Sequence, residues 1–319
     1  MVELDSSPRR CAFFDIGTNT ILCLIAECGS AGDFVVLDDL AEIARLGEGV
    51  DQSSTIGLAG EHRSLSILRR FLKRCAALGV QEITAVGTSA LRDATNSAEV
   101  RERWRRELGI TVRVISGADE AGYSFLAAQN GLSLTGCELL VIDIGGGSTE
   151  FIRGNAMGVG QAVSIDVGTV RLTERYLPSD PVTTDECQAM ESAIDCALDA
   201  LDSHNLKCEV GLSMVGIAAT FTTMVAVEKK LAQYSHRDVH GSKLSLAEVR
   251  RQVALYRGMT VAQRKTIRGL HPMRADVILA GAYLVEKIMM RFGARSIIVS
   301  DQGVRYGLMY EGFGAAKIY

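Results

Sequence analysis

One pattern occurs twice in this 319-residue chain and limits the fold more than any other feature. The first copy is Phe13-Phe14-Asp15-Ile16-Gly17-Thr18-Asn19-Thr20, and the second is Val141-Ile142-Asp143-Ile144-Gly145-Gly146-Gly147-Ser148-Thr149-Glu150. In each, an apolar run that reads as a buried strand delivers an Asp, a Gly/Ser/Thr turn follows, and a second apolar run returns. The pattern reads as a β-hairpin built to hold phosphate. Glycine in such a turn permits positive φ and removes side-chain bulk, so successive N–H groups converge on one anion. Thr18, Thr20, Ser148 and Thr149 add hydroxyl donors. An Asp beside each turn repels phosphate unless a divalent cation such as Mg²⁺ lies between them. Two copies imply two related domains whose loops face one cleft.

A chain of this length forms two domains of ordinary size. The 47% hydrophobic content and four prolines fit a compact α/β protein without disordered linkers. A formal net charge of −4, from 34 Lys and Arg against 38 Asp and Glu, supplies no overall positive field. A polyanionic ligand must then be held by local loops, a metal and a few arginines, and nucleic acid is excluded as a partner. Residues 1–10 lack the apolar stretch of a signal peptide. The longest apolar helix candidate, residues 275–292, contains Asp276, Glu286 and Lys287 and reads as a domain-core helix, with no membrane partner. The eight cysteines show no C-x-x-C spacing and read as reduced thiols of a cytoplasmic protein, and the five histidines form no metal-ligand pattern.

After the first hairpin, residues 34–40 read as a third strand and 58–78 as a helix stopped by Gly79. A strand at 83–86, a helix at 97–108 with Asn96 as cap, and a short strand at 111–115 follow. The second copy repeats this opening, with 157–165 as its third strand. Helices start at Thr183, in a capping box with Glu186, and at Ser245, with Glu248 in the matching place. Strands at 214–217 and 296–300 follow, and a last helix from about Val304 returns to the first domain. The basic run at 101–106 reads as alternating faces of one helix around a buried Trp104.

These segments together resemble the exopolyphosphatase / guanosine pentaphosphate phosphohydrolase family. The resemblance rests on residues 15–20, 45–49, 88–93 with Asn96, 116–121, 143–150, 168–174, His240-Gly241 and 300–303. It implies an α/β protein of two RNase H-like domains, of the actin, sugar-kinase and Hsp70 fold group, with an interdomain cleft. The first domain would hold residues 1–129 and 303–319, and the second 130–302. It also implies that Glu120 is the catalytic carboxylate and that Asp143 and Glu150 hold the metal, Mg²⁺ with Mn²⁺ as a substitute. Gly145, Gly146, Gly147 and Ser148 match the family's second phosphate turn, and Gly17, Thr18 and Asn19 the first. Arg92 matches its basic Ser-Ala-Leu-Arg position. Arg92 and Arg45 suit adjoining phosphates, because a guanidinium fork matches phosphate geometry.

The implied activity is exopolyphosphatase, releasing orthophosphate from inorganic polyphosphate. The alternative is hydrolysis of guanosine pentaphosphate to tetraphosphate; an ATP-dependent phosphotransferase or a non-catalytic polyphosphate or alarmone sensor on the same fold ranks behind both. Where the family has a Gly-Gly-Thr nucleotide turn, this chain has Ala218-Ala219-Thr220, whose β-carbons disfavour a nucleotide. Asp119 stands where the family usually has Glu. The chain resembles the short, two-domain branch, for which a homodimer is admitted.

Overall fold

The two expected hairpins both form, and each starts a sheet with the same strand order. The computed structural model describes residues 9–29, 34–134, 136–204, 206 and 212–313. Met1–Pro8 and Cys208, on which expectations also fell, lie outside them. The chain packs as two units, one of Met1–Ser116 with Val304–Tyr319 and a second of Gly117–Gly303.

The first unit contains β1 (Arg9–Ile16), β2 (Thr20–Cys28), β3 (Phe34–Ile43), α1 (Val50–Ser53), α2 (Leu58–Ala77), β4 (Glu82–Gly87), α3 (Ser89–Asp93), α4 (Ser97–Leu108) and β5 (Arg113–Val114). Its sheet has the order β3-β2-β1-β4-β5, with β1, β2 and β3 antiparallel and β4 and β5 added in parallel. Alternation along β1 and β2 sends Ala12, Phe14, Ile16, Ile21, Cys23 and Ile25 into one core. Ile67, Leu68, Phe71 and Cys75, a single stripe of α2, and Val100 and Trp104 of α4 close that core. The basic run divides as expected: Trp104 is buried while Arg103 pairs with Glu61 and Arg105 with Glu102. Asn96 holds the N-cap position of α4, as expected, but its side chain makes no capping bond there. Its amide instead accepts from the N–H of Ile56 and donates to the Ile56 carbonyl, tying the loop before α2 to the start of α4.

The second unit contains α5 (Gly117–Gly131), β6 (Leu139–Ile144), β7 (Thr149–Asn155), β8 (Gly158–Ile165), α6 (Thr169–Tyr176), α7 (Thr184–Asp199), β9 (Ser213–Ile217), α8 (Ala218–Glu228), α9 (His236–Val239), β10 (Ser242–Ser245), α10 (Leu246–Arg257), α11 (Val261–Arg264), α12 (Ile278–Arg291) and β11 (Ser296–Val299). Its sheet runs β10-β11-β9-β6-β7-β8. Leaving out β10, the order and directions repeat those of the first unit, with β6 in the place of β1. The fold class is therefore the one the sequence implied. The capping box at Thr183 and Glu186 forms, and Ser245 accepts from the Glu248 N–H.

The closing helices are exchanged in sequence. Helix α5 follows the last strand of the first unit but packs on the second sheet, where Ala121, Phe125 and Ala128 meet Leu139, Val141, Ile152, Val215 and Ile217. Helix α13 (Val304–Gly312) follows the second unit's last strand but belongs to the first, with Gly312 and Phe313 against Phe13. The packing divides the chain after Ser116, whereas the resemblance implied a first domain running on to residue 129. The physical reason is the apolar side of α5, whose Ala121, Phe125 and Ala128 are buried against the strands of the second sheet.

Candidate active site

On the face of the second sheet beneath α5, the strands are apolar until their ends at the β6–β7 turn. There Leu139 and Val141 give way to Asp143, and Ile152 gives way to Glu150. Asp143 and Glu150 are directly opposed in the antiparallel ladder, so their side chains share one face of the sheet. Both are buried, at 8% and 1% exposure. Two buried carboxylates facing one another are unfavourable unless a proton or a cation lies with them. Burial pushes the Asp143 carboxyl up to about 6, against an opposing pull from the Ser124 hydroxyl.

Glu120 joins them through α5. It lies one helical turn before Ser124, on the same face, and Ser124 Oγ donates to Asp143 Oδ2 at 2.7 Å. Glu120 is itself buried, at 8% exposure, whereas Asp119 is exposed. The start of α5 also lies against β8, where Ser164, the ladder partner of Glu150, donates Oγ to Glu150 Oε1 at 2.8 Å. Ser124 and Ser164 were missed from the sequence. Ser124 had a legible signal, the four-residue spacing from Glu120; Ser164 had none, because its partner is set by strand register.

The turn between the two acids is held with its carbonyls inward. Gly145 N–H donates to the Ser148 carbonyl, and the N–H groups of Thr169, Val170 and Arg171 at the start of α6 donate to the carbonyls of Gly145 and Gly146. Arg171 Nε takes the Gly147 carbonyl at 2.9 Å. Among the described residues, the N–H groups of Gly146, Gly147 and Ser148 donate to no backbone carbonyl. They are three adjacent donors of the kind that form an anion nest. None of Gly17, Gly145, Gly146 or Gly147 takes a left-handed φ, which corrects the expectation that the turns need glycine for positive φ. Space is the reason instead. A β-carbon on Gly145 would meet the Ser148 carbonyl oxygen at 3.2 Å, and one on Gly168 would meet Gly146 and Gly147 backbone at 2.5–2.6 Å.

The first unit repeats the device. Gly17 N–H donates to the Thr20 carbonyl, Ala44 and Arg45 N–H to the Asn19 carbonyl, and Gly47 N–H to the Thr18 carbonyl. Gly17, Thr18, Asn19 and Arg45 are therefore brought together at one turn, with Thr88 beside Gly17. Arg45 takes a left-handed φ of 50°, a strained conformation for a residue with a β-carbon. Arg92, in α3, donates Nη1 to the Ile115 carbonyl within the same unit. One chemical difference between the copies is the second acid: opposite Asp15 stands Leu22, where Asp143 has Glu150.

Among the described residues, no group of three or more His, Cys, Asp or Glu is placed to hold a metal. The Asp143–Glu150 pair nevertheless fits a hard cation such as Mg²⁺, which takes one or two carboxylates and completes its shell from phosphate and water. His240 is structural in its contacts, donating to or accepting from Gly131, Ser300 and Asp301, and His271 caps the turn at Met273. The seven described cysteines are free thiols, with Cys137 and Cys196 exposed. No helix among the described residues is long and apolar enough to cross a membrane.

Known proteins resemble this chain over nearly its whole length. Residues 24–315 match the Ppx/GppA phosphatase family. The chain is 32% identical over 311 residues to exopolyphosphatase 2 of Mycobacterium tuberculosis, covering 94% of this chain and 97% of that protein. It is 31% identical over 309 residues to a bifunctional 3-dehydroquinate synthase/phosphatase of Fusobacterium nucleatum, of which it spans 46%. A solved exopolyphosphatase structure from Cytophaga hutchinsonii matches with a TM-score of 0.87 at 26% identity, over 97% of this chain and 99% of that one.

Proposed function

We infer that this chain, which belongs to the Ppx/GppA phosphatase family, is a hydrolase of phosphoanhydrides that releases terminal orthophosphate from inorganic polyphosphate. The observation that carries the reading is that α5, which bears Glu120, is bonded through Ser124 to Asp143 of the opposed Asp143–Glu150 pair, beside a turn in which the N–H groups of Gly146, Gly147 and Ser148 donate to no backbone carbonyl. In-line attack of water on a terminal phosphate breaks one P–O–P bond and yields orthophosphate and a chain one unit shorter. Glu120 is assigned to orient that water and accept its proton, which leaves with the products. Gly145, Gly146, Gly147 and Ser148 hold the terminal phosphate through backbone N–H groups, which favour the dispersed negative charge of the transition state. Gly17, Thr18, Asn19, Arg45 and Arg92 hold further phosphates of the substrate. Asp143 and Glu150 would hold Mg²⁺, with Mn²⁺ as a substitute, and the cation would offset the charge of the phosphate oxygens. The free thiols are consistent with a cytoplasmic setting.

Glu120→Gln should lower phosphate release from polyphosphate by about 10²- to 10⁴-fold while the far-UV circular dichroism spectrum and melting curve stay those of the wild type. Wild-type turnover in that variant would remove Glu120 from the chemistry. Guanosine pentaphosphate is the second substrate to test, because the family takes its name from both activities. Competition between the two at equal concentrations of terminal phosphate, in Mg²⁺, decides between them. ATP in a parallel arm detects phosphotransfer or nucleotide hydrolysis, and binding without release would identify a sensor.

A further inference from the structure

We propose that Arg171 is a positioning residue of the phosphate-binding turn, holding the Gly147–Ser148 peptide so that its N–H faces the ligand. This inference rests on the proposed phosphate chemistry of the turn and extends it to a side chain outside the acids and the glycines. Every carbonyl of the glycine run has a donor. Those of Gly145 and Gly146 are taken by backbone N–H groups of residues 169–171, which are fixed as long as α6 is folded. The Gly147 carbonyl is the exception, because its donor is a side chain, Arg171 Nε at 2.9 Å. A carbonyl and the following N–H belong to one rigid plane. Holding the Gly147 oxygen toward α6 therefore holds the Ser148 N–H on the opposite side, with the open N–H groups of Gly146 and Gly147.

A glycine peptide released from such a bond rotates at little steric cost, and rotation would aim the carbonyl oxygen where the N–H had been. The nest would then present a negative end to phosphate. A charged donor is suited to prevent this, since charge-assisted hydrogen bonds are about twice as strong as neutral ones. The first unit supports the reading by contrast. There the Thr18 and Asn19 carbonyls are both held by backbone N–H groups of Ala44, Arg45 and Gly47. Gly168 completes the arrangement, because its lack of a β-carbon lets α6 approach the turn closely enough for Arg171 to reach.

The test uses the full chain with Arg171→Ala, Arg171→Gln and Arg171→Lys, and two readouts. One is binding of inorganic phosphate in Mg²⁺ by titration calorimetry, which does not depend on which anhydride is the substrate. The other is steady-state phosphate release from polyphosphate. Arg171→Ala should weaken phosphate binding about tenfold and lower kcat by about 10- to 100-fold, with Mg²⁺ affinity unchanged and millimolar guanidinium restoring part of kcat. Arg171→Lys and Arg171→Gln, which retain an N–H donor, should fall between alanine and wild type, and they carry the comparison if the alanine variant does not fold. Unchanged phosphate affinity and kcat in these variants overturns the proposal. So does a loss equal in all three, unresponsive to guanidinium and matched by a fall in melting temperature. If wild type binds phosphate but releases none from polyphosphate, the substrate reading fails while the calorimetric comparison still decides the role of Arg171.

Discussion

The Asp143 carboxyl lies buried opposite Glu150, with a pKa moved by burial from 3.8 to about 6. Between those values the folded protein holds a proton that the unfolded chain has released. Stability of the metal-free protein therefore falls as pH rises through this window, and the loss is complete above about pH 6. The sign is opposite to that of a carboxylate paired with arginine. A displacement of this size corresponds to about 3 kcal/mol. Asp143→Asn should accordingly stabilise the metal-free protein against urea at pH 7.5 by about 1–3 kcal/mol, with the advantage shrinking toward pH 4.5. An advantage that stays flat across that range would show that Asp143 is not protonated in the folded state. Ser124 acts on the same carboxylate from α5. Its removal in Ser124→Ala should weaken Mg²⁺ binding by about 10- to 100-fold, the usual consequence of deleting a hydrogen bond behind a metal ligand. Calorimetric titration of Mg²⁺ checks this, and equal affinities for variant and wild type would leave Ser124 with a packing role only.

Much of the architecture was legible at the level of elements, because the signals were local. Alternating apolar runs around Asp15 and Asp143 placed both hairpins, and Thr183 with Glu186 marked the start of α7. What escaped depended on distant partners. Asn96 has the right spacing for a cap, but a bond to Ile56 forty residues earlier competes for its amide. The opposition of Asp143 and Glu150 follows from the tight turn and was within reach, whereas Ser164 and the grasp of Arg171 on Gly147 need strand register and helix placement. Ala218 shows a further limit. The sequence marks it as standing where a glycine is usual, and the structure shows why glycine fits: Ala218 opens α8 at a left-handed φ of 69°. An L-residue with a β-carbon is penalised there by roughly 1 kcal/mol. Ala218→Gly should raise urea stability by about 0.5–1 kcal/mol, the reverse of the usual effect of glycine near a helix. Destabilisation by this substitution would mean that the turn relaxes to negative φ in solution.

At the scale of the whole chain, the exchanged closing helices leave unit 2 continuous in sequence but make unit 1 depend on a segment that lies beyond unit 2. Unit 1 obtains α13 only after the chain has completed unit 2. The helix is fastened by Arg305, whose guanidinium makes a bidentate pair with Asp39 of β3 at 2.8 and 2.9 Å, and by the Tyr306 hydroxyl on the same carboxylate. Arg305 is buried but Asp39 is exposed, so water takes over part of the carboxylate's bonding when the guanidinium is deleted, and the loss is about 1–2 kcal/mol. The single tryptophan, Trp104, lies in the core of unit 1 and reports on that unit alone, while far-UV circular dichroism reports on both. Arg305→Met should therefore move the Trp104 fluorescence transition to lower urea and leave a second, dichroism-detected phase near its wild-type midpoint. Asp143→Asn, in unit 2, should do the reverse at neutral pH, raising the dichroism phase and sparing the fluorescence. If each substitution moves both probes by the same amount, the two units unfold as one cooperative body, and the dependence created by the exchanged helices extends through the whole molecule.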